Sequence, residues 1–269
     1  MVIEKLRKLY DPADGQMRMV GLMSGSGSNL RKILEFERQL KDEHGQSPFK
    51  MVAIFSNRKH SNAVDIAVDY DLPAIVRGIK RFYIERDKPL SDMITREEYD
   101  QETVRALAPY EATVAVFGGY MSVATKVLRN AFLGVNVHPA DLSILDDAGQ
   151  RKYTGDDAVR DALLAGEPCL RSSTHIIEEE VDGGQLLMIS RPLEVDYETT
   201  PLGSDGIIQV MADACQEELK EVGDWDIFPK TLLYLAEGRY AINEDGVLHF
   251  DGKSILNGLK LEVDEKWMV

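Results

Sequence analysis

The sequence predicts an α/β protein: a mostly parallel, doubly wound, Rossmann-like sheet with an antiparallel edge. Two observations carry this. From Met17 onward, short apolar runs alternate with amphipathic segments of helical spacing. Repeated strand–helix–strand alternation implies parallel strands with helices on both faces. Late in the chain, two apolar runs at 171–179 and 184–195 are joined only by "EEVDGG", short enough for antiparallel pairing.

The elements follow in order. Residues 1–16 read as an extension, with a short helix "IEKLRKLY" ended by "DPADG". "MRMVGLM" (17–23) is a strand, and Leu30, Ile33, Leu34 and Leu40 mark the helix after it. "KMVAIFSN" (50–57) is a second strand, then a helix "NAVDIAVDYDL" and a short strand "PAIV" (73–76). The polar stretch 77–93 reads as a loop, and the next helix takes Thr95 as N-cap with Glu98 three residues on. "ATVAVFGGYM" (112–121) is a buried strand ending in paired glycines, "TKVLRNAF" a short helix, and "GVNVHP" (134–139) the next strand. "DDAVRDALLAG" is a helix stopped by Gly166. A long helix from about Gly206 to Val222, a loop "GDWDIFP", a helix "KTLLYLAEGR" and a hairpin turning at Asp245-Gly246 complete the chain. The expected division is an extension at 1–16, one domain at 17–253 and a tail at 254–269.

Composition narrows the class. With 269 residues, 44% hydrophobic, a sizeable core is available. No apolar run reaches the ~18 residues of a membrane span, and the first 16 residues lack the apolar stretch of a secretory signal. The net charge of −15 argues against nucleic acid, which needs clustered Lys and Arg. Cys169 and Cys215 stand far apart and outside any metal spacing, and the five histidines form no H-E-x-x-H. The expectation is a cytoplasmic protein with reduced thiols, no metal and no membrane partner, a monomer or homodimer.

In open α/β sheets ligands bind beyond the carboxyl ends of the strands. Four segments fall there. "SGSGSNL" (24–30) joins a strand to a helix, where Gly25, Ser26, Gly27, Ser28 and Asn29 could wrap an anion with backbone amides. The same composition also makes a capped, flexible turn, and the loop is neither a Walker motif nor a full dinucleotide fingerprint. Asn136 and His138 lie two apart on one strand, so they share a face. Together they can stabilise an oxyanion and shuttle a proton, or equally form a hydrogen-bonded structural pair. Asp182, in "EEEVDGG" (178–184), is either a polar turn residue or a carboxylate that orients His138 and favours its protonated form. "VFGGYMS" (116–122) allows close approach of a flat ligand, or simply tight packing. His175, at the end of the preceding strand, reads as structural.

Taken in order, these segments resemble the glycinamide ribonucleotide formyltransferases of purine biosynthesis. The matching stretches are "SGSGSNL", "FSNR" (55–58), "REEYD" (96–100), "GYM" (119–121), "NVHP" (136–139), "DALLAG" (161–166), "STHIIEEEVDGGQ" (173–185), and "FP" with "LAEGR" (228–239). The resemblance runs from about Met17 to Lys253. It implies 10-formyltetrahydrofolate as co-substrate, no metal, and direct transfer of the formyl group to an amine. It implies Asn136, His138 and Asp182 as catalytic residues and 25–29 as the cradle of the acceptor's phosphate. It places Tyr120, Met121, Ser122, Val123, Glu180 and Val181 against the folate, and Glu217 near the acceptor's ribose.

Departures from that family are local. "GYMSVA" puts Ser122 where the family usually has arginine. The segment after "NVHP" is long and acidic, "ADLSILDDAGQRKYTGDD", and "LKEVGDWD" (219–226) reads as an insertion. The alternative functions are formyl transfer to another phosphorylated or sugar-nucleotide amine, hydrolysis of the formyl donor, and a non-catalytic folate or nucleotide binder.

Overall fold

The computed structural model describes residues 5–197 and 205–262. The strands are β1 (Arg7–Lys8), β2 (Met17–Met23), β3 (Phe49–Ser56), β4 (Ala74–Val76), β5 (Val114–Phe117), β6 (Leu133–His138), β7 (Cys169–Leu170), β8 (Ser173–Ile176), β9 (Leu186–Ile189), β10 (Leu193–Glu194), β11 (Tyr240–Ile242), β12 (Leu248–Phe250), β13 (Lys253–Ser254) and β14 (Leu259–Lys260). The helices are α1 (Ser28–His44), α2 (Ala63–Asp69), α3 (Ile79–Ile84), α4 (Met93–Leu107), α5 (Lys126–Ala131), α6 (Ala158–Leu164), α7 (Asp205–Leu219) and α8 (Trp225–Ala236).

Eight strands form the main sheet in the order β14-β9-β8-β6-β5-β2-β3-β4. All neighbours are parallel except β8, which runs against both β6 and β9. Strand pleating divides the core between the two faces. On β2, Met19 and Met23 enter the cluster that includes α1 and α8, while Val20 and Leu22 enter the cluster that includes α4. Val135 and Val137 of β6 follow Met19 and Met23, so Asn136 and His138 share the opposite face, with Phe117 beside Asn136 in register. The strand order reverses between β2 and β5, and the 24–27 loop meets the 118–122 turn there. Ser24 N donates to Gly119 O at 3.0 Å, and Met121 N donates to Ser24 Oγ at 2.9 Å. Such a switch point is where an open sheet makes its binding crevice. No helix among the described residues is long and apolar enough to cross a membrane.

Several local expectations are corrected. Among the described residues, the expected first helix is absent; Arg7–Lys8 instead pairs antiparallel with β11, completing a small sheet β1-β11-β12-β13. A sheet edge to pair with overrides the local helical pattern. The segment after 253 supplies β13 and β14, and β14 pairs with β9 of the main sheet. The 77–93 stretch holds α3, whose Phe82 and Tyr83 are buried. Helix α4 starts earlier, capped by Asp92, which accepts from Thr95 N at 2.9 Å. The expected loop "GDWDIFP" is instead a π turn, Lys220–Asp224, running straight into α8.

Candidate active site

Local geometry explains why β6 delivers its polar pair to one place. Asn136 sits directly across from His175 in the β6–β8 register, and His138 across from Ser173. Asn136 Nδ2 lies 3.2 Å from His175 Nε2, and His175 Nδ1 donates to its neighbour's carbonyl, Ile176 O, at 2.9 Å. Asp182 enters from the β8–β9 turn with φ +53°, the left-handed region. That turn is pinned on its far side by Gly184, where a Cβ would stand 1.9 Å from Ile176 O.

The result is one carboxylate shared by two imidazoles. Asp182 Oδ2 lies 3.4 Å from His138 Nδ1, and Oδ1 lies 3.4 Å from His175 Nε2. Gly155 N donates to Oδ2 at 2.9 Å. His138 Nε2 donates to Tyr153 O at 3.0 Å, which commits that nitrogen and leaves Nδ1 facing the carboxylate. Burial alone would raise the Asp182 carboxyl. The His175 contact, the His138 charge and the Gly155 amide outweigh it and hold Asp182 at about 2. For His138 the balance goes the other way. Burial lowers its pKa, and Asp182 offsets this only in part. Burial thus favours the neutral imidazole and the Asp182 carboxylate the charged one, and the two act against each other at Nδ1.

A cavity of about 560 Å³ opens on these groups. Asn136, His138, His175 and Asp182 line it, as do Tyr120, Met121, Ser122, Val123, Glu180 and Val181. The expected folate-side residues differ in exposure. Tyr120 is buried, its ring edge-on to Phe117 at 5.7 Å. Met121, Val123 and Val181 are about half exposed on the rim, apolar side chains that a flat ring would cover. Ser122 accepts from Asn57 Nδ2 at 2.8 Å, and Asn57 accepts from Ser24 at 2.7 Å, so Ser122 joins the two crevice loops. A second concavity of about 410 Å³, between the end of α1 and α8, is lined by none of the sequence-predicted site residues.

Of the 24–30 loop, only Asn29 lines the cavity. Gly25 and Ser26 are exposed beside it. Gly27 takes φ +69° as N-cap of α1, and no side chain caps that helix. The positive φ favours glycine there, and a Cβ would also push on the side-chain tips of Ile66 and Met23 at 2.6 Å.

Glu217 does not line the cavity; it is exposed on α7 and bonded to Lys220. The acid on that side is Asp224, which the sequence reading missed. It lines the cavity while almost wholly buried. Ser172 Oγ donates to Asp224 Oδ1 at 2.6 Å, and Asn29 Nδ2 donates to Oδ2 at 3.1 Å. Burial raises its carboxyl to about 6, moderated by those two neutral donors and by Lys220. The π turn turns Asp224 inward while Glu217 stays on regular helix. Nothing local in "LKEVGDWD" announces a π turn, so Asp224 was not legible as a site residue. The other missed contributor is the 151–155 segment, which bonds to both Asp182 and His138.

Around a crevice of this kind, the sequence matches the formyl transferase family model over residues 17–202, more than half of the chain. The chain belongs to that family. Among curated relatives it is 24% identical over 238 residues to the phosphoribosylglycinamide formyltransferase of Haemophilus influenzae, covering 87% of this chain and 93% of that protein. It is 23% identical over 234 residues to the enzyme of the same name from Escherichia coli, covering 85% and 92%. Among solved structures, phosphoribosylglycinamide formyltransferase from Anaplasma phagocytophilum superposes with TM-score 0.67 at 19% identity, over 93% of this chain and all of that one. The Coxiella burnetii enzyme gives TM-score 0.65 at 21% identity, over 91% and 99%. These likenesses establish the fold.

Proposed function

We propose that this chain transfers the formyl group of 10-formyltetrahydrofolate to the amine of glycinamide ribonucleotide, a step of purine biosynthesis. The observation that carries the reading is the meeting of Asn136, His138 and Asp182 at the end of β6, on a cavity with an apolar rim. The rim fits a flat pterin: Met121, Val123 and Val181 offer apolar cover, and the neighbouring Glu178–Glu180 offer acceptors for its N–H groups. The proposal includes a cytoplasmic enzyme, monomer or homodimer, that acts on small molecules without metal, nucleic acid or membrane.

In the reaction the amine attacks the formyl carbon, the carbonyl oxygen gains the electron pair, and the bond to the folate nitrogen then breaks as the carbonyl re-forms. Asn136 Nδ2, beside His175 Nε2, has a hydrogen for the developing oxyanion. His138 carries the moving proton at Nδ1, because Nε2 is committed to Tyr153 O. Asp182, a carboxylate at all neutral pH, holds that charged form as it arises and passes the proton from amine to leaving nitrogen. The amides at the head of α1 bind the acceptor's phosphate, and Asp224 takes the ribose-facing place that Glu217 was expected to fill.

One observation favours keeping a second acceptor in view. Ser122 leaves the crevice without the family's arginine and is tied to Asn57. The test is release of tetrahydrofolate from 10-formyltetrahydrofolate with glycinamide ribonucleotide present. Release only with another phosphorylated or sugar-nucleotide amine would replace the acceptor. Release with no acceptor would make the protein a hydrolase, and donor binding without release a binder.

A further inference from the structure

The long acidic segment after β6 is folded onto itself. Leu145 bridges Arg151 antiparallel, Lys152 N donates to Ile144 O at 3.0 Å, and Asp146 Oδ1 accepts from Ala148 N and Gln150 N, both at 2.9 Å. The hairpin presents Arg151 to the turn that carries Asp182. The Arg151 guanidinium donates through Nη1 to Asp182 O and through Nη2, at 2.6 Å, to Gly184 O.

We propose that Arg151 is a positioning residue whose two-pronged grip on the carbonyls of Asp182 and Gly184 sets the place of the Asp182 carboxylate beside His138. Three observations support it. The turn packs Glu178, Glu179, Glu180 and Asp182 into five positions, so its own charges push it open. Asp182 holds a left-handed backbone that non-glycine residues rarely adopt, and its carbonyl is one of the two gripped. The same short segment supplies Tyr153 O to His138 and Gly155 N to Asp182, so movement of Arg151 displaces both members of the pair. A guanidinium can span two carbonyls in a fixed fork, whereas an ammonium keeps the charge without the fork.

The proposal rests on the reading of Asp182 as catalytic, and the experiment separates the two. Arg151→Lys and Arg151→Met are compared with the parent protein for turnover, Michaelis constants, thermal stability, and the NMR signals of the Asp182 carboxyl carbon and His138 ring. Both variants are expected to lose roughly 10- to 100-fold in kcat, the effect of a misplacement near 1 Å, with Michaelis constants unchanged. Their melting temperatures should stay close to the parent's, while the Asp182 and His138 signals move in both. Full kcat in Arg151→Lys would overturn the positioning role, as would raised Michaelis constants with kcat intact. If the parent turns over no acceptor, the functional reading fails on its own. The NMR signals then decide on Arg151, and unchanged signals in both variants would overturn it.

Discussion

Replacing Asp182 by Asn removes one negative charge and almost no volume from a site that two imidazoles and one backbone amide address. Its carboxyl titrates at about 2 rather than 3.8, so the folded protein favours the charged form. The difference corresponds to about 2 kcal/mol of stability. The sign follows from the lowered value: the contribution is full above the unfolded value near 3.8 and is lost as pH falls through about 2. Asp182→Asn should therefore unfold about 2 kcal/mol more easily at pH 7, a drop of roughly 4–8 °C in Tm for a chain of this size. The gap to the parent should close in acid. Turnover should fall by roughly two to four orders of magnitude, because the proton relay loses its base. Urea unfolding at a series of pH values gives the first quantity and tetrahydrofolate release the second. Near-parent turnover would remove Asp182 from the chemistry. A stability gap that persists below pH 2 would show that shape, not charge, was lost.

The opposite sign holds at Asp224, whose carboxyl burial raises to about 6. Asp224→Asn should stabilise the free protein above pH 6 by up to about 3 kcal/mol, an effect that vanishes below the unfolded value; denaturant midpoints at pH 5 and 8 check this. Asn29 Oδ1, buried without a hydrogen-bond partner, becomes available to the new amide if Asn29 turns over. The same variant should weaken acceptor binding, read as a raised Michaelis constant. At pH 6, binding of an acceptor that donates hydroxyls to Asp224 should release protons, measurable by calorimetry in buffers of different ionisation heat. Arg96→Met should cost about 3–5 kcal/mol, since it strands a buried carboxylate. Arg96 Nε lies 3.2 Å from Asp100 Oδ1, and its Nη2 donates to Val123 O at 2.5 Å. Loss of donor affinity should accompany the loss of stability.

What could be read in the sequence was whatever periodicity and strand ends express. The β2, β3, β5 and β6 runs are mostly apolar because both sheet faces are covered, and toward their carboxyl ends lie the glycine loop and the Asn136–His138 pair. The β8–β9 turn was legible because Asp182 precedes two glycines. The misses have physical reasons. Helix α3 has six residues, too few to show a period. The segment read as the loop "GDWDIFP" is helical: α8 begins at Trp225, straight after the π turn, and contains Pro229. The role of 151–155 was invisible because it works through a carbonyl, an amide and a guanidinium reaching across 15 to 33 residues. None of these leaves a mark in local composition.

The two aspartates at the cavity show how one residue type acquires two behaviours. Both are buried, and burial raises both. Asp182 faces His138, His175 and the Gly155 amide, groups that repay the charge, and it ends low. Asp224 faces a hydroxyl and an amide from Ser172 and Asn29, with Lys220 as its more distant cation, and it ends high. Environments that push two carboxyls apart are how a site divides acid and base work. Asp182 is thus a carboxylate at any physiological pH, placed beside His138 to hold its charged form as that arises. Asp224 is near balance, so a ligand that donates hydrogen bonds draws it into the charged form on arrival. Under the proposed function, Asp224 would serve recognition and Asp182 proton transfer in one cavity, and residues 151–155 are bonded to the His138–Asp182 pair.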